Sequence, residues 1–131
     1  MTIVPTGVLV PRIEPGNPEW LEVMSASKIA AVLGLSPWES RFSLYHRMTG
    51  MVGDDGNDQT RRGHYLEPAI AAWFADQHPD WRLEETGTWL HPERRWQAAT
   101  PDRIVHLPDG TVELVECKSS GMFEGWGDPG T

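Results

Sequence analysis

The run from Thr100 to Ser120, T-P-D-R-I-V-H-L-P-D-G-T-V-E-L-V-E-C-K-S-S, constrains this chain more than any other stretch. Ile104 to Leu107 and Thr111 to Cys117 are rich in β-branched and apolar residues, and Pro108-Asp109-Gly110 between them is a turn signal. The stretch predicts a hairpin. With the three turn residues as its loop, Leu107 faces Thr111, and the same register carried back without a bulge sets Asp102 opposite Glu116. Strand side chains two apart share a face, so Glu116 and Lys118 project together. One end of a short hairpin then gathers two carboxylates, an ammonium and the backbone carbonyl of Cys117.

Two neighbouring carboxylates repel, and more strongly when partly withdrawn from water. An oxygen-seeking divalent cation relieves that repulsion, as does the Lys118 ammonium. Magnesium takes one or two carboxylates, keeps several waters and is completed by substrate phosphate. The ordinary alternative is that Asp102 caps a turn and Glu116–Lys118 is a surface ion pair on an edge strand. Val112, Leu114 and Val115 make the second strand largely apolar, so the charges come at its end rather than along a solvated face.

At 131 residues the chain fits one domain, with a core but no room for a second. Hydrophobic residues at 39% and charged ones at 23% suit a soluble globular protein. No apolar run is long enough to span a bilayer, and no basic segment leads into an apolar one at the N-terminus, so neither a membrane span nor a signal peptide is expected. A single cysteine, Cys117, excludes an internal disulfide framework and a Cys-rich metal site, which fits a cytoplasmic setting. The charge, 11 − 19 = −8, argues against a nonspecific nucleic-acid binder held by bulk charge. It leaves room for a nuclease, since a local patch of Arg61, Arg62, Arg94, Arg95, Arg103 and Lys118 can meet phosphate. The seven tryptophans are expected mainly as core anchors, with one or two free to stack on bases.

Taken in order, residues 1–19 read as an extended arm, with an edge strand at Val8 to Val10. A helix follows from Ser25, carrying Ile29, Val32 and Leu33 at helical spacing and ending at Gly34. Ser25 or Ser27 is its N-cap, a start that suits a phosphate and that is equally the ordinary way to begin a helix. Ser36-Pro37-Trp38-Glu39 has a capping-box pattern, predicting a second helix that buries Phe42, Leu44, Tyr45 and Met48 and ends at Gly50. Residues 51–59 read as an acidic loop without the ligand pattern of a calcium loop. A third helix covers Thr60 to Gln77 with Leu66, Ile70, Trp73 and Phe74 on one stripe, so residues 20–78 form a helical part. Pro68 requires this helix to start near His64 or to kink, and it leaves Glu67 near the apolar stripe as a third carboxylate or as a first-turn acid favoured by the helix dipole. Two strands, Leu83 to Leu90 and Trp96 to Thr100, then lead into the hairpin as one antiparallel meander over 79–120, and 121–131 is an irregular tail. The fold class expected is α/β (α+β).

The ordered set M-S-A-S-K-I-A-A-V-L-G-L-S-P-W-E-S, R-R-G-H-Y-L-E-P-A-I-A-A-W-F, A-T-P-D-R-I-V and V-E-C-K-S-S resembles the YqaJ-type, lambda-exonuclease-like viral recombinase nucleases of the PD-(D/E)xK superfamily. The likeness runs from about Trp20 to Trp126. It implies a restriction-endonuclease-like mixed β-sheet with N-terminal helices packed on it. The implied activity is Mg2+-dependent 5′-to-3′ exonuclease action on linear double-stranded DNA ends, with Mn2+ as a substitute cation. The implied partners are a single-strand annealing protein and copies of the chain itself, a trimeric ring in the family, and the implied location is a host cytoplasm if the chain is phage-encoded. Carried over residue by residue, Asp102, Glu116 and the Cys117 carbonyl would hold metal, and Glu67 would complete the acidic set. Lys118 would orient or activate the attacking water, and Ser27, with Ser25 and Arg62, would meet DNA phosphate.

Two departures stand out. The family places an arginine shortly before the helix-start serine to clasp a 5′-phosphate, whereas this chain has no arginine between Arg12 and Arg41, so that Arg12 or a downstream arginine would have to replace it. Family members also continue past the W-G segment, so the chain reads as C-terminally truncated. An endonuclease of the same superfamily is the nearest alternative, and a non-catalytic DNA- or protein-binding remnant of the fold is the alternative from another class.

Overall fold

The predicted hairpin forms, in the expected register. The computed structural model describes residues 7–51 and 58–120. Its elements in chain order are β1 (Val8–Val10), α1 (Pro18–Glu22), α2 (Ala26–Val32), α3 (Arg41–Met48), α4 (Asp58–Gln77), β2 (Arg82–Glu84), β3 (Thr88–Leu90), β4 (Ala98–Ala99), β5 (Arg103–His106) and β6 (Val112–Val115). Strands β5 and β6 pair antiparallel with Arg103 opposite Val115 and His106 opposite Val112. The Leu107 N–H donates to the Thr111 carbonyl at 2.9 Å across the turn, and Gly110 there takes φ +86°, which a residue with a Cβ rarely adopts.

The strands do not form one meander. They divide into two three-stranded antiparallel sheets, ordered β1-β3-β4 and β2-β5-β6, with a parallel bridge between Met24 and Gln97. The single run expected over Leu83 to Leu90 breaks at Glu85-Thr86-Gly87, so β2 joins the hairpin and β3 joins the N-terminal arm. Gly87 is the physical reason. A Cβ there would run into the Val10 carbonyl oxygen, so only glycine lets the arm cross this closely. The expected edge strand at Val8 to Val10 is present as β1, and Val23, Leu90 and Ala98 form the core on which Val8, Val10 and Ile13 pack.

In the helical part, Gly34 and Gly50 close α2 and α3 with φ +73° and +74°, as expected of residues just past a helix end. The stripe Ile29, Val32, Leu33 is exposed, and Lys28 and Ala31 are the buried residues of α2. Ser36 does not start α3. Its hydroxyl accepts from the N–H groups of Trp38 and Glu39 in a local turn, and the capping box is made four residues later by Ser40 and Ser43. That shift turns Phe42 and Tyr45 outward and leaves Leu44 buried. Of the tryptophans, Trp20 is buried, whereas Trp38, Trp73 and Trp96 are exposed rather than core anchors.

Helix α4 starts at Asp58, inside the stretch read as a loop, and runs through Pro68 to Gln77. Proline at 68 removes one backbone donor, which the flanking turns tolerate. Ala71 is buried, and Leu66, Ile70 and Phe74 are half-buried along the expected stripe, but Trp73 faces out. The expected loop residues 52–57 and the tail 121–131 lie outside the described residues. Among the described residues no helix is long and apolar enough to cross a membrane.

Candidate active site

The hairpin ladder stops at Arg103–Val115, and at that point a side chain takes over from the backbone. Asp102 Oδ2 accepts the Cys117 N–H at 2.6 Å, so the carboxylate pins the β6 extension where a carbonyl would otherwise stand. Its other oxygen, Oδ1, stands 3.9 Å from Arg12 Nη2, and Arg12 Nη1 also donates to the Pro101 carbonyl at 3.4 Å. Asp102 is 13% exposed. The N-terminal arm thus reaches the same point as the hairpin.

Glu67 arrives from α4 and is held by Arg103. Arg103 Nη1 donates to Glu67 Oε1 at 2.8 Å and to the Asp102 carbonyl at 2.5 Å, so one nitrogen ties helix to strand. Glu116 and Lys118 share a face as the period-two pattern requires, and the Lys118 ammonium donates to Glu116 Oε1 at 2.7 Å. That bond, reinforced by the Glu116 and Asp102 charges, raises the Lys118 pKa.

The charges of these groups also reach the Cys117 thiol. Burial pushes the Cys117 pKa up, the Asp102 charge adds to it, and Glu67 and Glu116 add further, against the opposing Arg103. The Asp102, Glu67 and Glu116 charges each add to the shift of that one thiol. The carboxylates do not, however, stand as a ready ligand cluster. Among the described residues no three His, Cys, Asp or Glu side chains are grouped to hold a metal ion. Each carboxylate instead has a partner of its own: Asp102 the Cys117 N–H, Glu67 the Arg103 guanidinium, and Glu116 the Lys118 ammonium. The donor chemistry fits a hard cation, since every candidate is oxygen.

The predicted phosphate contacts make no hydrogen bond to the hairpin among the described residues. Ser25 is the N-cap of α2 but makes no side-chain cap bond. Its hydroxyl lies 3.0 Å from that of Ser27, and among the described residues neither bonds to the hairpin. Arg62 is exposed on α4, five residues before Glu67.

Three residues take places the sequence reading did not give them: Arg103, expected in a phosphate-facing patch, is enclosed on Glu67, Arg12, expected as a stand-in phosphate arginine, reaches Asp102, and Lys28 was not singled out. Arg103 was visible as a charge opening an apolar strand, Arg12 as the arginine ahead of the helix-start serine. Lys28, fully buried, had no sequence signal beyond its place on α2.

Residues 19–127 match the YqaJ-like viral recombinase domain, with Glu67, Asp102, Glu116 and Lys118 all inside the matched span. The chain belongs to that family. This YqaJ-like domain is 26% identical over 129 residues to the uncharacterized protein YqaJ of Bacillus subtilis (strain 168), covering 94% of this chain and 40% of that protein. It also matches the crystal structure of LHK-Exo in complex with dAMP, a lambda-exonuclease-like fold, with a TM-score of 0.52 at 25% identity, over 67% of this chain and 46% of that one. The chain thus spans less than half the length of either protein.

Proposed function

We propose that this YqaJ-like domain carries the catalytic centre of a magnesium-dependent deoxyribonuclease that degrades linear duplex DNA from its ends, 5′ to 3′, in phage-type recombination. The observation that supports the reading is the hairpin end itself, where Asp102 takes the Cys117 N–H, Arg103 links the α4 residue Glu67 to the Asp102 carbonyl, and Lys118 pairs with Glu116. The dAMP bound by the LHK-Exo neighbour supports a site that takes a deoxynucleoside monophosphate.

Asp102, Glu116 and the Cys117 carbonyl would hold Mg2+, or Mn2+ in its place, with Glu67 completing the set. When bound, the cation supplies Lewis acidity toward the phosphate and lowers the pKa of a water. The protein's own residues do the rest. Lys118 is an ammonium already poised by Glu116, and it donates to the attacking water and offsets the negative charge gathering on the phosphate. The Ser25 and Ser27 hydroxyls at the start of α2 take the terminal phosphate, and the exposed Arg62 meets the DNA backbone. A single-strand annealing protein and an oligomeric ring are the partners this reading calls for.

The ungrouped carboxylates favour a second reading, a non-catalytic DNA- or protein-binding domain on the same fold. The test incubates the 131-residue chain with 5′-phosphorylated linear duplex and with closed circular duplex, with and without Mg2+. Degradation of the linear form alone, only with Mg2+, is the expected result. Cutting of the circle makes it an endonuclease, and inertness toward both with Mg2+ and with Mn2+ leaves the binding reading.

A further inference from the structure

Arg103 is 11% exposed and carries a charge that no accessible pH removes. That charge sits 2.8 Å from Glu67, the α4 carboxylate to which the proposed function assigns metal. A divalent cation and a guanidinium on one carboxylate repel each other, and more strongly where water is scarce. The second nitrogen, Nη2, stands 3.8 Å from Glu85 Oε1, on a side chain that is 87% exposed. Arg12, His64, Thr86 and these two glutamates line a polar cavity of about 200 Å3 beside Arg103. The guanidinium therefore hydrogen-bonds one carboxylate, already stands in loose ion-pair range of a second, and has a polar cavity beside it.

We propose that Arg103 is a built-in competitor for the divalent cation: it occupies Glu67 when metal is absent and passes to Glu85 when metal loads, so that the Glu67–Arg103–Glu85 set tunes the metal affinity of the site. The inference rests on the metal-dependent reading above. It differs from a simple brace in sign. A brace that presents Glu67 to metal would weaken binding when removed, whereas a competitor strengthens it.

The test uses Mn2+ alone, without DNA, titrated calorimetrically into the 131-residue chain and its variants. Arg103→Gln binds Mn2+ about tenfold tighter than the parent chain, the size of a partly buried charge pair expressed as an affinity. That gain disappears when Glu67→Gln is added. Glu85→Gln removes the second resting place and weakens Mn2+ binding by about threefold, a smaller effect because the site is exposed. This variant changes a surface residue, so it decides the matter if Arg103→Gln does not fold. Equal or weaker binding by a folded Arg103→Gln, or unchanged binding by Glu85→Gln, overturns the inference. Failure of the underlying reading looks different. It shows in the parent chain as no Mn2+ binding, or as binding that Asp102→Asn leaves intact, whatever Arg103 does.

Discussion

Lys28 and Arg103, both buried, are held in opposite ways. Lys28, fully buried, donates to the carbonyls of Trp20 and Val23, the latter at 2.7 Å, and sits 3.6 Å from the centre of the Trp20 ring. All three partners are neutral, so they satisfy the ammonium without discharging it, and they tie α1 to α2. Arg103 instead stands on Glu67, and Lys118 on Glu116, partners that another cation can claim. A cation on carbonyls and a ring is a fixed brace. A cation on a carboxylate is an exchangeable one, and the exchangeable kind clusters where the YqaJ-like motifs converge. The helical front is thereby locked, and the hairpin end is left open to chemistry.

The largest test of that contrast removes the hairpin-end charge. Asp102→Asn keeps an acceptor for the Cys117 N–H, so folding is preserved, yet cleavage of linear duplex should fall more than about 100-fold, beyond what loss of a supporting residue costs. A D102N chain that cuts normally, measured beside an unchanged unfolding curve, would make the hairpin end as purely structural as Lys28. Next comes Arg103→Ala, which strands Glu67 partly buried at 20% exposure. It should lower unfolding free energy by about 2 kcal/mol, below the range for fully buried pairs, and Arg103→Leu with Glu67→Leu should recover most of it. Urea titration reads both.

The brace gives a smaller, pH-dependent signal. Burial, aided by Arg47 and opposed by Glu39, lowers the Lys28 pKa from 10.5 to about 8. Between those values the unfolded chain binds the proton and the folded chain does not, so stability rises with pH. From pH 8 to 9 the gain should be about 1 kcal/mol. The raised Cys117 thiol works in the opposite direction only above its ordinary 9.0. Denaturant midpoints of the parent and of Lys28→Met across that window check it: the parent rises and the variant stays flat. The smallest effect belongs to the surface pair Arg82–Glu84, at 65% and 51% exposure, where Arg82→Ala should change stability by less than about 0.5 kcal/mol.

What the sequence made legible was local. The hairpin register followed from Pro108-Asp109-Gly110 and alternation alone, because nothing distant competes with a tight turn. Gly34 and Gly50 marked helix ends for the same reason. Glu67 was legible as a candidate because Pro68 and the apolar stripe place it. What stayed hidden depends on long-range approach. The split of Leu83 to Leu90 between two sheets turns on Gly87 meeting the Val10 carbonyl, a contact between distant parts of the chain. The outward-facing Phe42 and Tyr45 follow from which of two serines, Ser36 or Ser40, caps α3, and both fit the local pattern. The burial of Lys28 and the grip of Arg103 on Glu67 are tertiary facts with no periodic signature. The motif could name candidate carboxylates, but not which cations already hold them.

The most direct test of the central claim is a crystal of this chain soaked in Mn2+ and measured at the manganese absorption edge. The account predicts an anomalous peak bonded to the carboxylates of Asp102 and Glu116 and to the Cys117 carbonyl, with Arg103 turned from Glu67 toward Glu85. A fully soaked crystal with no peak at the hairpin end, and with Glu67 still on Arg103 and Glu116 still on Lys118, would contradict it.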